Sequence, residues 1–193
     1  MKNIHELMDD LHVDTYLTID DIPDLDLYMD QVIQLFEKKY AATKRNEEEK
    51  ILTKTMINNY AKGKLFFPVK NKKYTKEHIM LISMIYQMKS SLSINDIKKM
   101  LSKLNEKITE KEFHLEELYK KYVTLNESNV GRFRENSVKI NEEVMEEAID
   151  GDDDLYMKQL LLVTAFTHMS NLYRRAAEKL VDEIEEQEHF KKE

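Results

Sequence analysis

The sequence predicts a mainly α-helical fold, on three observations. Only three Gly and two Pro occur in 193 residues, too few of the turn-formers that a many-stranded β architecture needs. Glu, Lys, Leu, Ile and Met are abundant and together favour helices. Apolar residues recur at steps of three and four along most of the chain. With 41% hydrophobic residues, the length suffices for one large domain or two small ones.

Residues 1–20 are polar and read as a flexible, loosely attached arm. The phrase DDIPDLDLYMDQVIQLFEKKY then predicts a helix, with Asp21 as its cap and Pro23 in its first turn. Leu25, Tyr28, Met29, Val32, Ile33, Phe36 and Tyr40 form its single apolar stripe. ATKRNEEEK follows as a loop or a frayed helix end. A shorter helix is expected from about Lys54 to Lys62, capped by Thr53 and stopped at Gly63. KLFFPVKNKKYT breaks the helical period, because Pro68 is disfavoured inside a helix, and predicts a small hairpin or loop. From about Lys76 to Ser90 a helix apolar on nearly all sides is expected at the centre of the fold. Ser93 and Asp96 form a capping-box variant that starts a fourth helix, buried through Ile94, Ile97, Met100, Leu101 and Leu104.

Beyond residue 105 the helices lengthen. Thr109 and Glu112 suggest another capping box, and Leu115, Leu118, Tyr122 and Leu125 repeat at the seam spacing of paired helices. Gly151 followed by Asp152, Asp153 and Asp154 reads as a turn into a last helix, about 153–188. Its wide apolar face comprises Leu155, Leu160, Leu161, Phe166, Met169, Leu172, Tyr173, Ala176, Leu180 and Ile184. A helical hairpin or a second subunit would bury that face.

Charge is partitioned along the chain. Lys50 to Lys76 holds eight lysines and no Asp or Glu, a local +8 in a protein whose net charge is −7. An Asp or Glu beside a bound phosphate would oppose the lysines, so a carboxylate-free basic stretch suits a polyanion. The acidic remainder would repel DNA and confine contact to this face. The bland reading of a charge run is a solvated surface.

The order of elements narrows the choice. Two short helices, an irregular basic segment with a proline, a buried helix and a capped helix are the order of a winged helix-turn-helix domain. In it Lys54, Thr55, Asn58, Asn59, Tyr60 and Lys62 lie on or beside the helix that enters a major groove, with Lys64 just past its end. Asn can bond adenine at two points, whereas Lys, Thr and Tyr more often hold phosphate or sugar. Lys70, Asn71, Lys72, Lys73 and Tyr74 form the wing against the backbone. Tyr60 and Tyr74 are equally readable as half-buried packing residues beside Phe66 and Phe67.

The segments MINNYAKGKLFFP, KKYTKEHIMLISMIYQMK and LSINDIKKML resemble the DNA-binding domain of MerR-type transcription regulators. More closely, the chain resembles a bacterial family catalogued as domain of unknown function 1836, over about Asp24 to Leu104. In the MerR pattern a hydrophobic residue, an arginine and two aromatics precede a glycine, two leucines and a proline. Ile57 takes the hydrophobic place, Asn58 the arginine's, Asn59 and Tyr60 the aromatic pair, Lys62 a basic position, and Leu65, Phe66 and Pro68 the ending. Lys73 and Tyr74 match the wing's final basic residue and tyrosine, and Ile94 with Ile97 the apolar pair of the following helix. The chain departs from the pattern in lacking that arginine, in the displaced Gly63, in a shorter wing and in a charged insertion between the first two helices. The departures count against the promoter twisting of MerR-type activators more than against DNA binding.

The expectation is therefore a MerR-like winged helix-turn-helix domain at 21–104, followed by a helical dimerisation or regulatory region at 105–193. Function is expected as a sequence-specific, dimeric, DNA-binding transcription regulator acting on double-stranded DNA. The alternative is a non-catalytic helical adaptor that binds a protein partner through acidic C-terminal helices. An enzyme has least support, with no phosphate loop and no nucleophile motif. No cofactor or metal is expected. Cysteine is absent, which excludes disulfides and thiolate sites, and His5, Asp9 and His12 share a helical face without a fourth ligand. His168 reads as a core or interface residue, and Glu143, Glu146, Glu147 and Asp150 as a solvated face. No stretch of 18 apolar residues and no signal core occurs, so a cytoplasmic protein without membrane contact is expected.

Overall fold

A computed structural model describes residues 3–111, 113–147 and 154–190, with side chains described as far as residue 187. Among them are seven α-helices: α1 (Ile4–Asp10), α2 (Met29–Lys39), α3 (Lys54–Lys62), α4 (Lys76–Met88), α5 (Ile94–Thr109), α6 (Leu115–Glu146) and α7 (Asp154–Phe190). Strands β1 (Leu27–Tyr28) and β2 (Lys73–Tyr74) pair antiparallel, Leu27 opposite Tyr74 and Tyr28 opposite Lys73. The mainly α class expected from composition is the class observed.

The helix apolar on all sides is the axis of the core. α4 buries Ile79, Met80, Leu81, Ile82 and Ile85 completely. Around it pack Val32 and Phe36 of α2, Ile57 of α3, Ile97 of α5 and Tyr119 of α6, all 0% exposed. Phe36, Tyr40 and Tyr86 form an aromatic cluster, with ring centroids 5.1 to 6.2 Å apart. The caps behave as their chemistry dictates: the Thr53 hydroxyl accepts from the Met56 N–H at 3.1 Å, and that of Ser93 from the Asp96 N–H at 3.1 Å.

α2 begins later than its apolar stripe suggests. Leu27 and Tyr28 lie in β1, where successive side chains point to opposite sides, so Leu27 is buried while Tyr28 is exposed; Leu25, before the strand, is exposed as well. Asp21 caps no helix; it accepts from the Thr18 N–H and hydroxyl and from Lys39 at 2.7 Å. The charged segment after α2 folds back through Glu37. That carboxylate takes Lys44 on one oxygen and the Ile51 N–H on the other, seating Ile51 and Leu52 in the core. The Lys44 ammonium holds Glu37 below the ordinary carboxylate range.

α5 continues past residue 104 to Thr109, whose hydroxyl donates to the Asn105 carbonyl at 2.7 Å. Thr109 thus ends a helix and does not start one, and α6 opens after His114; Glu112 lies outside the described residues. Ile94, expected inside, is 43% exposed. The seam Leu115, Leu118, Tyr122, Leu125 faces the α4 core at its start and leaves Leu125 exposed.

Of residues 1–20, expected as a loose arm, the described residues 3–20 run along α6. Ile4 and Met8 of α1 are buried, Asp9 pairs with Arg134 at 2.8 Å, and Tyr16 donates to Glu127 at 2.9 Å. Leu17 is pinned at both backbone groups: its N–H donates to Tyr40 Oη at 3.1 Å, and its carbonyl accepts from Tyr119 Oη at 2.8 Å. α7 packs against α6 and, at its far end, against α5, where Lys99 meets Glu185 at 2.6 Å. The turn expected at residues 151–153 lies outside the described residues, as does Asp150. Among the described side chains of α7 only Leu162 and Val181 are buried apolar ones, whereas Leu155, Leu160, Leu161, Leu172, Tyr173, Leu180, Ile184 and His168 stand exposed.

Candidate nucleic-acid interface

α3 is short, amphipathic and outward on one side. Ile57 and Tyr60 turn inward, so Lys54, Thr55, Asn58, Asn59 and Lys62 share the exposed face. Five expected contact residues are thereby brought together by helical spacing alone. Lys54 is tied to Asp30 of α2 at 2.8 Å, a solvent-exposed pair worth little net stability.

The end of α3 sets the next lysine. Gly63 has an ordinary helical φ of −71°, while the left-handed position falls on Lys64, at 57°. The Leu65 N–H donates to the Tyr60 carbonyl and the Lys64 N–H to the Ala61 carbonyl, both at 3.0 Å, the paired bonds of a Schellman end. Space at 63 is tight: a Cβ there would meet the Asn59 carbonyl at 3.1 Å and Ile94 Cγ2 at 3.4 Å.

Lys70 to Lys73 form a tight hairpin turn, closed by Lys73 N–H to Lys70 carbonyl at 3.0 Å. Asn71 and Lys72 have φ of 52° and 58°, as a primed two-residue turn requires. All four residues of the turn, Lys70, Asn71, Lys72 and Lys73, are exposed. Lys64 and Lys72 line one groove of about 910 Å³ together with Tyr28, Phe67, Pro68 and Val69, so the end of α3, the turn and β1 meet around it. Among the described residues Lys62, Lys64, Lys70, Lys72 and Lys73 make no ion pair, and Lys73 sits 5.7 Å from the Tyr28 ring centroid. Lys76, the last lysine of the stretch, is taken up inside the fold by Glu116 at 2.9 Å and Asp24 at 3.1 Å.

The two tyrosines are packing residues. Tyr60 is 3% exposed, its hydroxyl has no hydrogen-bond partner, and burial pushes its pKa up to about 12. Tyr74 is 4% exposed and packs edge-on to Phe66 and His78. Tyr60 lines no part of the groove around Lys64 and Lys72, whereas Tyr74, though packed inward, contributes to its lining. The amphipathic character of tyrosine left both roles open in the sequence, and the period of α3 and the pairing of β2 decide for the interior.

His78 braces this region from beneath. It is 1% exposed, accepts from the Thr75 N–H at Nδ1 and donates from Nε2 to the Phe67 carbonyl, both at 3.1 Å, which fixes one neutral tautomer. Burial lowers its pKa. Its ring lies 3.9 Å from that of Phe67. Tyr28, Asp30 and Phe67 were not readable as site residues. Tyr28 falls in register with a helical stripe, and only its pairing with Lys73 reveals that it belongs to the basic face.

Residues 17–122, more than half of the chain, match the family described as Domain of unknown function (DUF1836). No curated protein and no solved structure matches the chain.

Proposed function

The chain belongs to the family Domain of unknown function (DUF1836), whose matched segment contains the whole lysine face, and we propose that it is a dimeric, sequence-specific DNA-binding regulator of transcription, without catalytic activity. α3 enters a major groove, where Asn58 and Asn59 offer bidentate contacts to adenine, and the Lys70–Lys73 turn lies on the backbone as a wing. The MerR-like order of helix, helix, turn and buried helix supports this assignment.

The observation that carries the proposal is the backbone at Lys64 and Lys72. Both are left-handed, at 57° and 58°, a conformation that destabilises an L side chain by roughly 1–2 kcal/mol and leaves glycine unaffected. Asn-Gly is the favoured filling of such a turn, yet this chain holds Asn71-Lys72. Lys111, past the end of α5, shares this conformation at 59°, so what sets Lys64 and Lys72 apart is that both stand exposed and free of ion pairs among the other lysines of the face.

The apolar surface of α7 supports the dimer. A helix of 37 residues is roughly 55 Å long, and a second copy laid along it covers an area on the order of the 800 Å² per partner of a stable interface. The same surface favours a second reading, an adaptor that receives a different protein there.

Selection from a random duplex library at several salt concentrations tests the proposal. Enrichment of a palindromic site is expected, with affinity falling linearly on logarithmic axes. Replacing Lys54, Lys62 and Lys72 together by alanine should flatten that slope by about 0.9 per lost phosphate contact. Unaltered DNA binding in the triple variant would refute the assignment of this face. A protein that stays monomeric at micromolar concentration would refute the dimer.

A further inference from the structure

The groove beside the turn has a chemistry that a regular duplex does not satisfy. Its walls include Tyr28, Phe67, Pro68 and Val69, and its rim carries Lys64 and Lys72. B-form DNA presents phosphates and base edges, while the flat apolar faces of its bases are hidden in the stack. Phosphates satisfy the rim and leave the walls unfilled.

The walls are also held in place. Phe67 is backed by the His78 ring at 3.9 Å, and both imidazole nitrogens are engaged by backbone groups. Tyr28 is fixed through its backbone by Gln31, whose side-chain oxygen accepts from the Tyr28 N–H at 2.8 Å, and by pairing with Lys73. The residue nevertheless remains 54% exposed. Asp30 also lines the groove, and its carboxylate is met by Lys54 at 2.8 Å. An exposed aromatic ring on a rigid support, next to unpaired lysines, is the combination with which proteins stack unpaired bases.

We propose that this groove receives an unstacked base of a single-stranded or locally opened nucleic acid, with Lys64 and Lys72 on the adjoining phosphates. The proposal rests on the nucleic-acid reading of the lysine face and adds a different substrate class to it. Its volume, about 910 Å³, is at the upper end of small-molecule sites and accommodates a nucleotide.

Fluorescence anisotropy of the full chain tests it, with a perfect DNA duplex, the same duplex carrying one unpaired thymidine, and an oligothymidine strand as probes. The bulged duplex and the single strand are expected to bind about tenfold or more tightly than the perfect duplex. Tyr28→Ala should remove that preference and Tyr28→Phe keep it, while the thermal melting of both variants stays that of the parent because the ring is exposed. Equal affinity for perfect and bulged duplex, with Tyr28→Ala silent, overturns the groove and leaves duplex recognition standing. Binding of none of the three probes overturns both. Displacement of the oligothymidine by an acidic, leucine-rich peptide that binds more tightly than any probe also overturns the base-binding role and makes the groove a protein site.

Discussion

The two halves of the chain treat their apolar side chains in opposite ways. From Leu17 to Tyr119 the helices close on one another, and Ile79, Met80, Leu81, Ile82 and Ile85 of α4 are fully buried. Along α7 most of the large apolar side chains point outward. The first half buries its apolar side chains within itself. In the second half α7 packs on α6 and α5 along one side only. The exposed lysines thus sit on a closed core, and the exposed apolar side chains on an open helix.

Single substitutions should fall very differently in the two halves. Tyr119→Ala removes a fully buried ring and the bond to the Leu17 carbonyl, and a loss of about 3–5 kcal/mol is expected in denaturant unfolding. Leu160→Ala on α7 should change the stability of the dilute monomer by less than about 0.5 kcal/mol, since that side chain is exposed. Comparable losses at the two sites would break the contrast. Tyr60→Phe removes a buried hydroxyl without a partner and should raise stability by about 1 kcal/mol while leaving DNA affinity unchanged. A drop in affinity would return Tyr60 to the interface.

Lys72→Gly separates fold from function. Relief of the left-handed backbone should stabilise the protein by about 1 kcal/mol, and loss of the charge should weaken DNA binding. A calorimetric melt and a salt titration read the two signs. The smallest effect is in pH. Burial holds His78 below its ordinary value of 6.5, so below about that pH the unfolded chain binds a proton that the folded chain refuses. Stability should therefore fall as pH drops through 6.5, and His78→Gln should flatten that limb of the curve.

What was legible in the sequence was local. The bounds of α3, the caps Thr53 and Ser93 and the central place of α4 follow from neighbours within one turn of helix, and the structure has them. β1 was not legible, because two residues are too few to show an alternation, and so Leu25 and Tyr28 were assigned to a buried stripe. Asn71-Lys72 marks the turn, but Lys64 as the left-handed residue was hidden behind Gly63, the more obvious helix stop. The outward face of α3 could be read from its period. The groove could not, since Tyr28 and Phe67 meet only when β1 pairs with β2.

The clasp on Leu17 sets a timetable for the nascent chain. Its carbonyl waits for Tyr119, 102 residues later, which at about 5–20 residues per second leaves the ribosome roughly 5–20 s afterwards. The lysine segment is made well before then. A growing chain thus displays its most basic stretch, beside a polyanionic ribosome, while the core is still open, and the arrival of α6 both locks the N-terminal strap and draws Lys76, the last lysine of that stretch, onto Glu116.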